Sequence, residues 1–280
     1  MPLPTPETHV VCHVLDTGHC LAHESMMIRG GRRLEVECHS LVALIWHPQH
    51  GWGLWDTGYA PRMEQETARW PFRLFRYATP LRLRPELAAA AQLWRWGLAP
   101  ADLRWIVLSH LHADHVAGLR DFSAARIFMT SAAYDHINSR RGWRAVARGY
   151  VPRLLPDDLS SRATLIHEFA GQPLPVLGPT YDLFGDRSLL LVQLPGHARG
   201  QVGLLAHTAE RKILFAADGA WLTRSIRERR LPHPLTYLLI DDRRELRRTL
   251  DKLHDFARQY SDIALIPTHC PEAYACEVAR

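Results

Sequence analysis

The chain has 280 residues, of which 47% are hydrophobic and 22% charged. That balance excludes a disordered or collagen-like chain and fits a globular protein long enough to bury a sizeable core. The net charge of +5 is mild for a nucleic-acid binder of this size. Only Lys212 and Lys252 among the 34 basic residues are lysine, an arginine bias that reads as genomic base composition before it reads as phosphate binding. Cys12, Cys20, Cys38, Cys270 and Cys276 contain no Cys-x-x-Cys pair, which argues against a thiolate zinc module. Their odd, scattered distribution argues against a secreted disulfide scaffold, so reduced thiols in a cytoplasmic protein are expected. The first residues, 1–14, carry no basic segment ahead of an apolar run, so no signal peptide is expected. Apolar runs such as 41–46 are too short to span a bilayer.

Residues 10–15 read as a short strand. Residues 41–46 and 52–55 flank His47-Pro48-Gln49-His50-Gly51, a turn signal, and read as a hairpin ending in Asp56-Thr57-Gly58. Residues 61–84 mix Trp70, Phe72, Phe75 and Tyr77 with arginines and are broken by Pro71 and Pro80. An Ala/Leu-rich stretch at 85–96, with Pro85 in its first turn and Gly97 just beyond it, predicts a helix. Strands are expected at 104–108, 126–130, 188–194, 202–207, 213–216 and 263–266, and a helix from Ser131. Residues 242–260 read as a charged amphipathic helix with Leu246, Leu250, Leu253 and Phe256 on one face. Several of these strands end in Gly, Asp or His, and strand ends that share one sheet edge are where a rigid scaffold presents chemistry.

The run His110-x-His112-x-Asp114-His115 directly follows an apolar strand. Three imidazoles and a carboxylate in six residues are costly to bury without partners. On extended backbone His110 and His112 point the same way and can reach one ion. The chain then turns, and Asp114 and His115 can face a second. These donors suit Zn, Mn, Fe or Co. A surface histidine-rich loop is the competing reading of His-x-His alone.

With these residues in view, the sequence resembles the metallo-β-lactamase superfamily. The resemblance points to His197 in Pro195-Gly196-His197, to Asp218 after a strand, to His269 after the last strand, and to Asp56 in Asp56-Thr57-Gly58. It implies one metal held by His110, His112 and His197 and a second held by Asp114, His115 and His269, with Asp218 bridging. Asp56 would orient a ligand histidine. Taken singly, His197, Asp218 and His269 would pass for turn residues; their order along the chain carries the resemblance. The implied fold is α/β, a four-layer αβ/βα sandwich, over a single domain 1–280 with an aromatic and Arg-rich insert at about 60–98.

The implied activity is that of a dinuclear hydrolase whose metal-bridging hydroxide attacks a lactone or carboxylic ester, with Asp114 passing a proton to the leaving group. The spacing is most like that of N-acyl homoserine lactonases, and Trp70, Phe72, Phe75, Tyr77 and Trp221 are the candidate substrate contacts. The insert could equally serve core or subunit packing, which leaves a homodimer open. Many lactonases carry a Tyr three residues after the bridging Asp; here that residue is Trp221. An indole N–H donates but does not titrate. Tyr59, Tyr134 and Tyr237 are possible substitutes. A thioesterase and a phosphotriester or arylester hydrolase are alternatives on the same scaffold. An RNA-processing nuclease is a further alternative, with Arg224–Arg230 and Arg243–Arg248 as its basic track, although Glu228, Asp241, Asp242 and Glu245 lie among them. The expected cofactors are two divalent ions, zinc first. The expected partner is a small ester, lactone or thioester, with no nucleic acid and no membrane.

Overall fold

The computed structural model describes residues 3–279; Met1, Pro2 and Arg280, at the ends of the expected domain, lie outside them. Among the described residues thirteen strands form two sheets. The first contains β1 (Val11–His23), β2 (Glu35–His47), β3 (Gly51–Trp55), β4 (Leu81–Arg82), β5 (Trp105–Val107), β6 (Arg126–Thr130) and β7 (Ala163–Ile166) in the order β4-β1-β2-β3-β5-β6-β7. The second contains β8 (Gly171–Leu174), β9 (Gly178–Asp182), β10 (Leu189–Gln193), β11 (Val202–His207), β12 (Lys212–Ala217) and β13 (Ala264–Pro267) in the order β13-β12-β11-β10-β9-β8. Hairpins pair antiparallel, whereas β3-β5-β6-β7 and β12-β13 pair parallel across intervening chain.

Strand alternation builds the layers. On β2, Leu41, Ala43 and Ile45 face the other sheet and pack with Leu189, Leu191 and Leu204. Val42 and Leu44 point the other way, into a second core with Leu54, Ile106 and Phe122. On β10 the same rule sends Leu190 and Val192 outward, onto Leu246, Leu250, Leu253 and Phe256 of the helix Arg243–Gln259. Two apolar faces per sheet give helix–sheet–sheet–helix, the four-layer sandwich.

Two expectations are corrected. The strand expected at 10–15 runs on to His23, because Gly18, at φ +115, admits a bulge between Asp16 and His19 without ending the pairing with β2. The helix expected at 85–96 is broken into 3₁₀ turns Pro85–Leu87 and Leu93–Trp96 around Ala89–Gln92. Ala88 is extended, and the Gln92 amide donates to Leu87 O (2.6 Å) and to Asp16 O (2.9 Å). The side-chain bond to Leu87 O takes an acceptor that the helical ladder would use, and the bond to Asp16 O ties the segment to β1. Gly97 does take the left-handed position after the last turn, at φ 68. Strands β7, β8 and β9 are not evident from sequence.

Candidate metal centre

Strands β3, β5, β10, β12 and β13 all deliver their C-terminal residues to one edge of the sandwich. Just past β3, Asp56 takes the left-handed conformation at φ 56, and Ala217, before Asp218, does so at φ 46. Such backbone is costly and is held here by tertiary bonds. The Asp56 N–H donates to Val107 O (2.9 Å). Its carboxylate accepts from Ser109 N and Ser109 Oγ, both at 2.7 Å, and from His115 Nδ1 at 2.8 Å. His110 Nδ1 lies 3.0 Å from the same serine oxygen, which is free to accept because its own proton goes to Asp56. His269 Nδ1 donates to His39 O at 2.6 Å. Three imidazoles therefore have Nδ1 committed as donor and turn Nε2 into the site.

The His197 turn is set by the neighbouring helix. Asp241 and Asp242 donate their N–H groups to His197 O (3.0 Å) and Gly196 O (2.8 Å), and Thr249 Oγ1 donates to Pro195 O (2.7 Å). A Cβ on Gly196 would lie 2.1 Å from Leu246 N, and its φ is +125, so only glycine fits between turn and helix.

The donor atoms converge in two groups. His110, His112 and His197 form one, with His197 Nε2 2.9 Å from His112 Nδ1. Asp114, His115 and His269 form the other. Asp218 stands between them: Oδ2 is 3.1 Å from both His197 Nε2 and His269 Nε2, and Oδ1 is 3.4 Å from His115 Nε2. All seven side chains expected from the sequence are thus brought together.

Among the described residues, His110 Nε2, His115 Nε2 and Asp218 Oδ1 are buried with no hydrogen-bond partner. Orphaned polar atoms on fully buried side chains carry a desolvation cost that coordination to a cation would offset. Burial pushes His112 down to about 4 and His197 to about 3, and pushes His110 well below the usual imidazole range, so these rings are neutral ligands as they stand. Burial also opposes charge on His115 and His269. There, however, the carboxylates outweigh it: Asp56, Asp218 and Asp114 hold His115 well up, and Asp218 and Asp114 raise His269 to about 9. Burial would raise Asp218, but His269, His197 and His115 hold it well below the usual carboxylate range. The pocket has positive charge drawn into it, and bound cations would displace the protons of His115 and His269. The donor set therefore fits divalent metal.

A cavity of about 490 Å³ opens over Asp114, His112, His197, Asp218 and His269. Phe75, Tyr77 and Trp221 line it as expected. Trp70 and Phe72 do not: Trp70 lies exposed against Tyr77 and Trp143, and Phe72 packs on the core beneath the first sheet. Trp221 also donates its indole N–H to Asp218 Oδ2 at 3.0 Å, so that proton is already committed. Of the three candidate tyrosines only Tyr59 lines the cavity. Burial raises its phenol well above its ordinary range, leaving it a neutral donor. Tyr134 borders a separate groove, and the Tyr237 hydroxyl accepts from Arg29 at 3.2 Å. Sequence reading did not find Met26, Met27, Leu21, Leu235 or Leu239, which complete the apolar wall. They come from three separate segments with no shared motif. Ser109 was within reach, since it adjoins the His110 run.

The metallo-beta-lactamase superfamily pattern matches residues 36–257. A probable metallo-hydrolase of Mycobacterium tuberculosis is 28% identical over 253 residues, covering 85% of this chain and 76% of that protein. The N-acyl homoserine lactonase AttM of Rhizobium radiobacter is 26% identical over 191 residues, 66% of this chain and 64% of that one. The structure superposes on an N-acyl homoserine lactone hydrolase, solved with N-hexanoyl-L-homoserine at its catalytic metal centre, with a TM-score of 0.74. The two are 17% identical over 96% of this chain and 97% of that one. A profile that spans most of the chain, with candidate donor residues gathered at one edge of the matching fold, establishes that the chain belongs to the metallo-beta-lactamase superfamily and is a metal-dependent hydrolase.

Proposed function

We propose that this protein hydrolyses a lactone or carboxylic ester carrying an apolar acyl group. The observation that carries this reading is the juxtaposition of seven metal-ligand side chains with one apolar-walled cavity of about 490 Å³. His110, His112 and His197 would hold one divalent ion, and Asp114, His115 and His269 a second, with Asp218 between them and Asp56 orienting His115. Two such ions, zinc first, with Mn, Fe or Co fitting the same donors, would supply an acidified water and a Lewis acid for the carbonyl oxygen. The chain supplies the rest. Phe75, Tyr77, Leu235 and Leu239 exclude water and bind the acyl group. Asp114, partly exposed at the cavity floor with Oδ2 3.4 Å from His269 Nε2, is placed to hand a proton to the departing oxygen. Tyr59 offers a phenolic donor from the wall.

The lactonase AttM and the solved lactone hydrolase support the lactone within this class. A thioester or phosphotriester would use the same donors. A nucleic-acid substrate is disfavoured by the candidate basic track itself. Arg224 pairs with Glu228 at 2.8 Å, Arg230 with Glu228 at 2.6 Å and Arg227 with Glu272 at 3.1 Å, and Arg229 pairs with Asp255. Among the described residues no helix is long and apolar enough to cross a membrane. We read residues 1–280 as one domain, since the cores on both sheets share the intervening layer. The five free cysteines fit a reducing, cytoplasmic compartment.

Assay of zinc- and manganese-loaded protein against acyl homoserine lactones, thioesters, arylesters and phosphotriesters tests the reading. Turnover of lactones or esters, rising with acyl length until the cavity is filled, is expected. Turnover of phosphotriesters or thioesters alone would reject it.

A further inference from the structure

A second group of metal-type donors lies on the β1–β2 ribbon, outside the catalytic cavity. His19 and His39 are directly paired across the two strands, and Glu37 is two residues from His39 on the same face. Their ligand atoms all lie within 4.8 Å of one another. His39 Nε2 is 3.6 Å from Glu37 Oε2, and His19 Nε2 is 3.7 Å from Glu37 Oε1. Those separations are close to what three donors at ~2.0–2.2 Å around one tetrahedral ion require, roughly 3.3–3.6 Å. The next residues on each strand, Cys20 and Cys38, face the catalytic cavity, so the two groups occupy opposite faces of the ribbon.

The independent observation is how His39 is held. Its side chain is 3% exposed and stacks on Tyr274, with ring centroids 3.9 Å apart at 10°. Its Nδ1 makes no aligned hydrogen bond but faces the buried Asp16 carboxylate, Oδ2, at 3.2 Å. A carboxylate behind one ring nitrogen, with the other nitrogen turned toward further donors, is the arrangement that orients metal-binding histidines. Asp56 behind His115 repeats it at the catalytic edge. Asp16 occupies that position because the Gly18 bulge shifts the register between it and His19.

The geometry points to a further divalent-cation site formed by His19, Glu37 and His39, with Asp16 orienting His39. Two imidazoles and one carboxylate suit zinc, with the fourth position open to water because Glu37 and His19 reach solvent. The ion would be structural: it would clamp the bulged strand to β2. Its ligand His39 also provides, through its carbonyl, the acceptor for His269 Nδ1.

The test is zinc stoichiometry on the intact chain, measured by calorimetric titration and by metal analysis after dialysis at fixed free zinc. Wild type is expected to take up one more ion per chain than either His19→Ala or Glu37→Gln, with folding checked by circular dichroism. The same one-ion difference is expected when His19→Ala is placed on a His112→Ala background, which separates this site from the catalytic donors. In cobalt-loaded protein, visible absorption from one tetrahedral centre should disappear in His19→Ala. Equal ion counts in wild type and both variants, or a one-ion loss that appears only when His112 is intact, would overturn the inference.

Discussion

His110, His115 and His269 each present Nε2 only because a specific acceptor holds Nδ1–H: Ser109, Asp56 and the His39 carbonyl. Replacing Asp56 with Asn would turn an N–H toward the His115 and Ser109 donors. We expect zinc affinity to fall about 10–100-fold at unchanged secondary structure, measured by competition with a chromophoric chelator. Affinity equal to wild type would remove Asp56 from the centre. His112→Ala and Asp218→Ala each delete a donor outright. Both should lower kcat/KM by at least about a thousandfold, equivalent to several kcal/mol of lost charge stabilisation, in a chain that stays folded. Full activity in either variant on metal-analysed protein would end the two-group reading. Trp221, expected from sequence as a substrate contact, both lines the cavity and positions Asp218.

The helix Arg243–Gln259 has two tasks at the scale of the element. Its apolar face covers the second sheet, and its first turn seats the Pro195-Gly196-His197 turn. The two tasks are separable by mutation. Leu253→Ala removes a fully buried side chain that carries no metal donor and should cost about 2–5 kcal/mol in chemical denaturation while metal content is preserved. Gly196→Ala forces a Cβ onto Leu246 N and strains a φ of +125. It should displace His197, so that activity and zinc content fall together with stability, beyond what Leu253→Ala produces. A Gly196→Ala protein with wild-type metal content would contradict this account of the turn.

Across the whole molecule the two sheets are also tied away from the candidate metal centre, through His47 and Asp186. His47 Nδ1 accepts from the N–H groups of Gln49 (3.1 Å) and His50 (3.3 Å), so its Nε2 carries the proton and donates to Asp186 at 2.8 Å. The Asp186 carboxylate also accepts from Ser188 Oγ at 2.6 Å and Ser188 N at 3.0 Å. Burial would raise its pKa, but these bonds outweigh burial and hold it below the ordinary carboxylate range. A depressed carboxylate stabilises the fold fully above its unfolded pKa, and that stability is lost as pH falls through the folded value. The melting temperature should therefore drop on acidification below about pH 4. In Asp186→Asn, less stable at neutral pH, that acid-side decline should be shallower. An unchanged acid limb in Asp186→Asn would exclude the carboxylate as its source. Removing metal with a chelator should lower the melting temperature at neutral pH, and added zinc should restore it, because ions that bind only the folded chain stabilise it.

Much of this was legible along the chain. The spacing of His110, His112, Asp114 and His115 is local, and it predicts donors on neighbouring backbone whatever lies around them. The apolar runs at 41–46 and 188–194 and the apolar face of residues 246–256 likewise mark buried strands and a core-facing helix from sequence. Position relative to distant chain was not legible. The strand read at 10–15 runs on through Asp16, Thr17 and Gly18 only because β2 pairs with it, and an Ala/Leu-rich stretch looks helical until the Gln92 side chain takes Leu87 O and ties the segment to β1. The apolar wall around the candidate metal centre and the meeting of His19 with Glu37 and His39 join separate segments, and the commitment of the Trp221 N–H to Asp218 depends on how their loop is held. Donor chemistry is a property of residue type and short spacing, so the sequence determined the metal-dependent hydrolase and marked His110, His112, Asp114 and His115 as candidate donors. Cavity shape and hydrogen-bond commitment are properties of long-range packing, and only the tertiary structure decided them.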